Sequence, residues 1–197
     1  MEHLNDALFL WINASHPTAG ALWIGRLCAN ALVYLFPLYL VLSWLRADED
    51  GRNALLQAVA AAIIALILSW AISKVWFHPR PFVVGIGHTY LSHKPTASLP
   101  SNHLSFIWAL CMGLALHRVR RRTALILALI GLPVAWARIY MGVHFPLDMV
   151  AAAITAIAAG LISLPLRHHV VPEVRRTLEP LYRALFAGPI RKGWFRS

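Results

Sequence analysis

The sequence predicts an all-α integral membrane protein, a bundle of about five transmembrane helices with a short N-terminal interfacial helix. The first observation is composition: of 197 residues, 59% are hydrophobic and only 13% charged, with a positive mean hydropathy. That balance is too apolar for a soluble domain of this size. The second is that the apolar residues fall in runs of spanning length, with polar residues gathered at their ends. The third is the sorting of a net charge of +10 into the segments between and after those runs, which fits a charged membrane surface. No aromatic-basic motif points to nucleic acid, and none is expected as a partner. Residues 1–197 form one expected domain, without internal repeat or linker.

Residues 1–17 carry Glu2, Asn5, Asp6 and Asn13, too polar for a signal peptide. Leu4, Leu8, Trp11 and Ile12 fall on one helical stripe, which predicts a helix lying in the interface. A first span is expected over 29–45, or from 21 if Arg26 snorkels. The loop 46–52 is polar. A second span runs over 54–73 and ends at Lys74. Residues 76–102 form a long loop holding Pro79, Pro81, Pro95 and Pro100, with His78, His88 and His93 among them, and a loop this long in a compact protein is usually functional. His78, His88, His93 and Lys94 match no signature and are read as surface or headgroup contacts. The third span, 104–116, is short and ends in Arg118, Arg120, Arg121 and Arg122. The fourth covers 123–136, with Pro133 expected to kink it, and the fifth covers the alanine-rich 149–166. The tail, 167–197, is basic and part-amphipathic. Cys28 and Cys111 lie in apolar runs, belong to no metal or redox spacing, and are read as packing residues.

With loops 46–52 and 117–122 and the tail on the cytoplasmic side, that side holds 13 of the 18 Lys and Arg residues. The bias predicts that both motif-bearing segments face outward, to the periplasm or cell exterior. One segment contains Lys74-Val-Trp-Phe-His-Pro-Arg80-Pro81 and then Pro100-Ser101-Asn102-His103. The other holds Arg138, His144 and Asp148. The four-residue step from His144 to Asp148 places them on one face of a helix, where the carboxylate would fix the imidazole tautomer and leave the other nitrogen basic. Cations, a hydroxyl and free N–H groups at a helix start suit an anionic transition state, so this inventory favours phosphoryl transfer with a histidine nucleophile. No carboxylate cluster is available for a catalytic metal, so neither metal nor cofactor is expected.

The order Lys…Arg-Pro, Pro-Ser-Asn-His and Arg-x5-His-x3-Asp over 74–148 resembles the type 2 phosphatidic acid phosphatase superfamily. Asn102 stands where that family usually has glycine, Ala137 where it often has serine, and five residues separate Lys74 from Arg80 where six are common. Phe-His-Pro-Arg-Pro-Phe around Arg80 and Ala-Arg-Ile-Tyr-Met-Gly-Val-His-Phe-Pro-Leu-Asp around His144 look most like the bacterial undecaprenyl-diphosphate phosphatases of the bacitracin-resistance type. The resemblance implies that His144 attacks phosphorus, Asp148 orients it, and His103 serves as acid and then base. Lys74, Arg80, Ser101, Asn102 and Arg138 would bind phosphoryl oxygens. It implies hydrolysis of undecaprenyl diphosphate through a phosphohistidine at the cytoplasmic membrane, recycling the carrier lipid for cell-wall synthesis. A phosphatase for phosphatidylglycerol phosphate, phosphatidic acid or lipid A phosphate shares the same headgroup machinery. A lipid transporter with an outward anion site is the reading from a different class, weakened because the cations gather at span ends rather than midplane.

Overall fold

The computed structural model describes residues 2–196, so Met1 and Ser197, which close the expected domain and tail, lie outside the described residues. The regular structure of the described residues is all helical, with no strand among them, and a long irregular loop runs over 76–101. Four helical stretches are long and apolar enough to cross a membrane: Ala19–Arg46, Glu49–Val75, Arg118–Tyr140 and Pro146–Ser163. The expected third span is a shorter apolar helix, Asn102–Ala115, about 21 Å long at 1.5 Å per residue. Its Leu104, Ile107, Leu110 and Leu114 are fully buried. This helix is wrapped by protein, so it need not match the full hydrocarbon thickness.

Helix α1 covers Glu2–Ile12. Leu4, Leu8 and Trp11 point away from the protein while Asn5, Phe9 and Asn13 are buried against it. The apolar stripe thus faces outward and the asparagines serve the fold: Asn5 Oδ1 accepts from Leu147 N–H at 3.0 Å. The first spanning stretch is composite, with α2 at Ala19–Arg26, a π turn at Leu27–Ala31, a short 3-10 turn at Leu32–Tyr34 and α3 at Leu35–Arg46. Helix α4, Glu49–Val75, is capped by Asp48, which accepts from Gly51 N–H at 2.9 Å, and carries Glu49 and Asp50 in its first turn, where the helix dipole favours them.

Helix α5 is Asn102–Ala115, α6 is Arg121–Tyr140, passing through Pro133 as one helix, and α7 is Pro146–Ser163. Helices α4, α5 and α7 form the centre. A Cβ at Gly113 would stand 2.5 Å from Ala58 Cα, so glycine allows α5 and α4 to touch backbone to backbone. Gln57 Nε2 donates to Ser163 O at 2.7 Å and Ser163 Oγ at 2.8 Å, a polar clasp between α4 and α7. The tail is ordered as α8, Leu166–Leu185, and the short α9, Ala187–Arg191.

The two ends of this bundle differ in charge. One collects the α4 C-terminus, the α5 N-terminus, the α6 C-terminus and the α7 N-terminus. The other carries the arginine-rich turn at 118–122 and the tail. At the first end the loop 76–101 folds back and is pinned by the side chain of Asn13, whose Nδ2 donates to His88 O at 2.9 Å and Tyr140 O at 3.0 Å and whose Oδ1 accepts from His88 N–H at 2.7 Å. Gly142 has φ +79° and sits so close to the His88 carbonyl that a Cβ there would collide with it. Gly142→Ala should therefore destabilise by about 1–3 kcal/mol, read as a drop in Tm in detergent. Gly85→Ala, at φ +74° with nothing near its Cβ position, should cost only the backbone strain, about 1 kcal/mol. Equal losses would contradict a loop held by contact at Gly142.

Candidate active site

The α7 N-terminus builds the first half of the site. Pro146 occupies the first helical turn and Phe145 precedes it, a position where the missing proline N–H costs nothing. Asp148 turns back across this start, and its Oδ2 accepts from Phe145 N–H at 2.8 Å. The same oxygen faces His144 Nδ1 at 3.0 Å and accepts a short hydrogen bond from Ser98 Oγ. His144 and Asp148 therefore meet as expected but for a different reason, since His144 lies outside the helix and the carboxylate reaches back over its cap. The pairing assigns the proton to Nδ1. Nε2 is left as an acceptor, and Arg80 Nη1 stands 3.1 Å from it.

Arg80 comes from the loop after α4 and is 4% exposed. Its other donors reach Val143 O at 2.8 Å, Thr96 O at 3.1 Å and Ala97 O at 3.0 Å. Arg138, 2% exposed, projects from the last turns of α6. Its Nη1 donates to Ala29 O at 3.2 Å, within the π turn of the first spanning stretch, and lies 3.4 Å from His103 Nε2. A π turn shifts carbonyls off the regular ladder, and here one of them receives the guanidinium. His103 stands in the first turn of α5, and that turn is tied to α7 because Ser101 N–H donates to Asp148 O at 3.3 Å. The segments 80–103 and 138–148 thus converge at one end of the bundle, as the sequence required.

The remaining expected residues are placed as follows. Ser101 is fully buried, caps nothing with its side chain, and its hydroxyl has no hydrogen-bond partner among the described residues. Asn102 opens α5 on the exposed side, and its backbone lies outside the left-handed region, so replacing glycine there imposes no strain. The N–H groups of Asn102 and His103 precede the first bond of the helix, Ser105 N–H to Ser101 O at 2.8 Å, and remain available to an anion. Lys74, in the last turn of α4, is exposed and makes no hydrogen bond or ion pair among the described residues.

Four residues join the site that the motifs did not single out. Ser98 and Thr96 hold Asp148 and Arg80, and their only sequence signal is proximity to Pro100-Ser101. His78 Nδ1 lies 3.9 Å from Asp148 Oδ1, and the His93 ring is edge-on to His144 with centroids 6.4 Å apart. Both lie at the site, where the sequence had suggested surface or headgroup contacts. Burial lowers the Arg80 guanidinium to about 10, with the Asp148 carboxylate opposing, so it stays charged at neutral pH. Burial pushes the His144 imidazole down to about 3 against the hydrogen bond and charge of Asp148, with Arg138 and Arg80 lowering it further. His93 is also lowered, by burial first and the two arginines last, with the Lys94 carbonyl opposing. His144 is therefore neutral, between cations.

A helical membrane bundle with a carboxylate-held histidine facing two buried arginines defines a class of phosphoryl-binding membrane protein. A model of the PAP2 superfamily matches residues 54–171, and the chain belongs to that superfamily. It is 34% identical over its whole length to the putative undecaprenyl-diphosphatase YbjG of Escherichia coli K12, also covered in full. It is 32% identical over 66% of each chain to the undecaprenyl-diphosphatase BcrC of Bacillus subtilis. The crystal structure of Aquifex aeolicus LpxE is similar with a TM-score of 0.62 and 26% identity, covering 82% of this chain and 95% of that one.

A neutral buried imidazole sets an acid limit on stability. Between about 3 in the folded protein and the ordinary 6.5 in the unfolded chain, the unfolded state binds the proton and the folded state does not. The contribution is thus complete above pH 6.5 and is lost as pH falls toward 3. His144→Asn should lose less Tm than the native chain on going from pH 6.5 to about 4; an equal loss would contradict a neutral buried His144.

Proposed function

We propose that this protein is a membrane lipid phosphatase that hydrolyses undecaprenyl diphosphate to undecaprenyl phosphate and phosphate. One observation carries the reading: two buried arginines flank a neutral histidine, and their donors end on carbonyls and imidazoles rather than carboxylates. Such a site is built to receive an anion. The names of the relatives YbjG and BcrC support the choice of a polyprenyl diphosphate.

His144 Nε2 attacks the terminal phosphorus, forming a P–N bond as the bond to the bridging oxygen breaks. Arg80, beside Nε2, and Arg138 bind the oxygens on which charge develops, joined by Ser101 Oγ and the first N–H groups of α5, with Lys74 reaching in from the end of α4. Asp148 holds the Nδ1 proton and stabilises the imidazolium formed by attack. An oxygen between Arg138 and His103 replaces their mutual contact, which frees His103 to protonate the departing lipid phosphate. His103 then takes a proton from the water that cleaves the phosphohistidine. None of these steps uses a metal ion. The arginine-rich turn and tail favour a cytoplasmic position for the opposite end, so the site faces the periplasm or exterior of the inner membrane and recycles carrier lipid for cell-wall synthesis.

Protein in detergent should release phosphate from undecaprenyl diphosphate with a chelator present, faster than from phosphatidic acid. His144→Ala should lower kcat by roughly four orders of magnitude. Chelator-sensitive turnover would overturn the metal-free step, and a preference for phosphatidic acid would overturn the substrate. In His103→Ala the label of a terminally 32P-labelled substrate should accumulate on His144; its absence there would contradict the covalent route.

A further inference from the structure

At the end of the bundle opposite His144, a cavity of about 390 Å³ opens between the α4 N-terminus, the 117–119 turn and the start of α8, lined by Asp50, Asn53, His117, Arg118, Val119, Arg167 and His168. Its charges are arranged unlike those of the neighbouring surface. A few residues away, Arg52 bonds Glu179 at 2.8 Å, and Arg175 bonds Glu179 at 2.8 Å and Glu49 at 3.0 Å. Asp50, Arg118 and Arg167 share one cavity, yet no ion pair joins them among the described residues. Among the described residues the Arg167 side chain donates only to Leu116 O, at 3.4 Å. Behind them His117 is 7% exposed and its Nε2 is buried with no hydrogen-bond partner. Burial first, then Arg167, hold this imidazole below its ordinary value, with Asp50 opposing. The two guanidiniums and one carboxylate leave a single positive charge, which one phosphodiester anion neutralises.

Exposed apolar side chains lie beside this cavity. Val170, Val174, Leu178, Leu181 and Leu185 follow each other at helical spacing along α8 and are all exposed, while Val171, Arg175, Glu179 and Tyr182 on the adjacent stripe pack inward. Val119, at the cavity wall, is exposed as well. An amphipathic helix of this kind lies in the interface with its apolar stripe among acyl chains.

We propose that this cavity binds the headgroup of a phospholipid from the leaflet opposite the active site. Arg118 and Arg167 take the phosphodiester, and Asp50 takes a hydroxyl or ammonium donor beyond it. The acyl chains continue past Val119 along the α8 stripe. Phosphatidylglycerol and phosphatidylethanolamine carry such a donor, and phosphatidylcholine does not.

Native mass spectrometry of the full chain, exposed equally to these three lipids in detergent, reads the occupancy. Phosphatidylglycerol and phosphatidylethanolamine adducts should exceed phosphatidylcholine adducts. The Arg118→Gln/Arg167→Gln double variant should lower adducts about tenfold with phosphatase activity unchanged. Asp50→Asn should erase the preference among lipids, and it keeps the proposal testable if the double variant does not fold. Arg138→Gln, altered at the other end, should keep its adducts. Unchanged adducts in the double variant, adducts lost in Arg138→Gln, a preference kept in Asp50→Asn, or complete displacement by inorganic phosphate at equal concentration would each overturn the proposal.

Discussion

Two guanidiniums buried without a carboxylate partner set the terms for the rest of this structure. A buried charge costs free energy unless something compensates it. Arg80 and Arg138 spend their donors on Val143, Thr96, Ala97 and Ala29 carbonyls and on the Nε2 atoms of His144 and His103. These partners carry no negative charge, and Arg138 Nε has no hydrogen-bond partner among the described residues, so no direct ion pair cancels either guanidinium. The opposite end of the molecule shows the other solution. There Arg52, just as buried, has Glu179 as a direct partner, and the Trp44 and Tyr182 rings lie 5.4 and 4.6 Å from its guanidinium carbon. One end of the bundle pairs its buried arginines with carboxylates, and the other leaves them on carbonyls and imidazoles.

Holding two such cations in place requires a stiff surround, and much of the fold is arranged to supply it. The π turn in the first spanning stretch offers Ala29 O to Arg138. Asn13 and Gly142 fasten the 76–101 loop to the end of α6, so that Arg80 arrives from one direction and Arg138 from another. The start of α7 holds Asp148 through three donors on one oxygen, and that fixes the His144 ring. Close packing of α4 on α5 at Gly113 keeps the α5 N-terminus, with Ser101 and His103, against the same end. Under the proposed function, positioning of this kind sets Arg80 and Arg138 in place before charge develops on the substrate.

The helices were legible in the sequence because apolar runs in a membrane must be helical to satisfy their own backbone; their ends shifted by a few residues where caps such as Asp48 and Pro146 begin them early. The central pair was legible from spacing, although His144 and Asp148 meet over a helix cap rather than along a helix face. Arg138 and His103 were legible as charged or titratable residues at the ends of apolar runs. Ser98, Thr96, His78 and His93 were not, because they reach the site through the path of an irregular loop, which no periodicity encodes. Asn13 was invisible for the same reason: its role depends on the carbonyls of His88 and Tyr140, and backbone acceptors leave no trace in side-chain pattern.

The uncompensated charge can be measured directly by thermal unfolding in detergent at neutral pH, with and without orthophosphate, in the native chain and in Arg138→Met. If the two arginines stand ready for an anion, phosphate raises the Tm of the native chain with its concentration, and the rise is largely lost in Arg138→Met. Absence of a phosphate-dependent rise in the native chain, or an equal rise in the variant, would contradict the account.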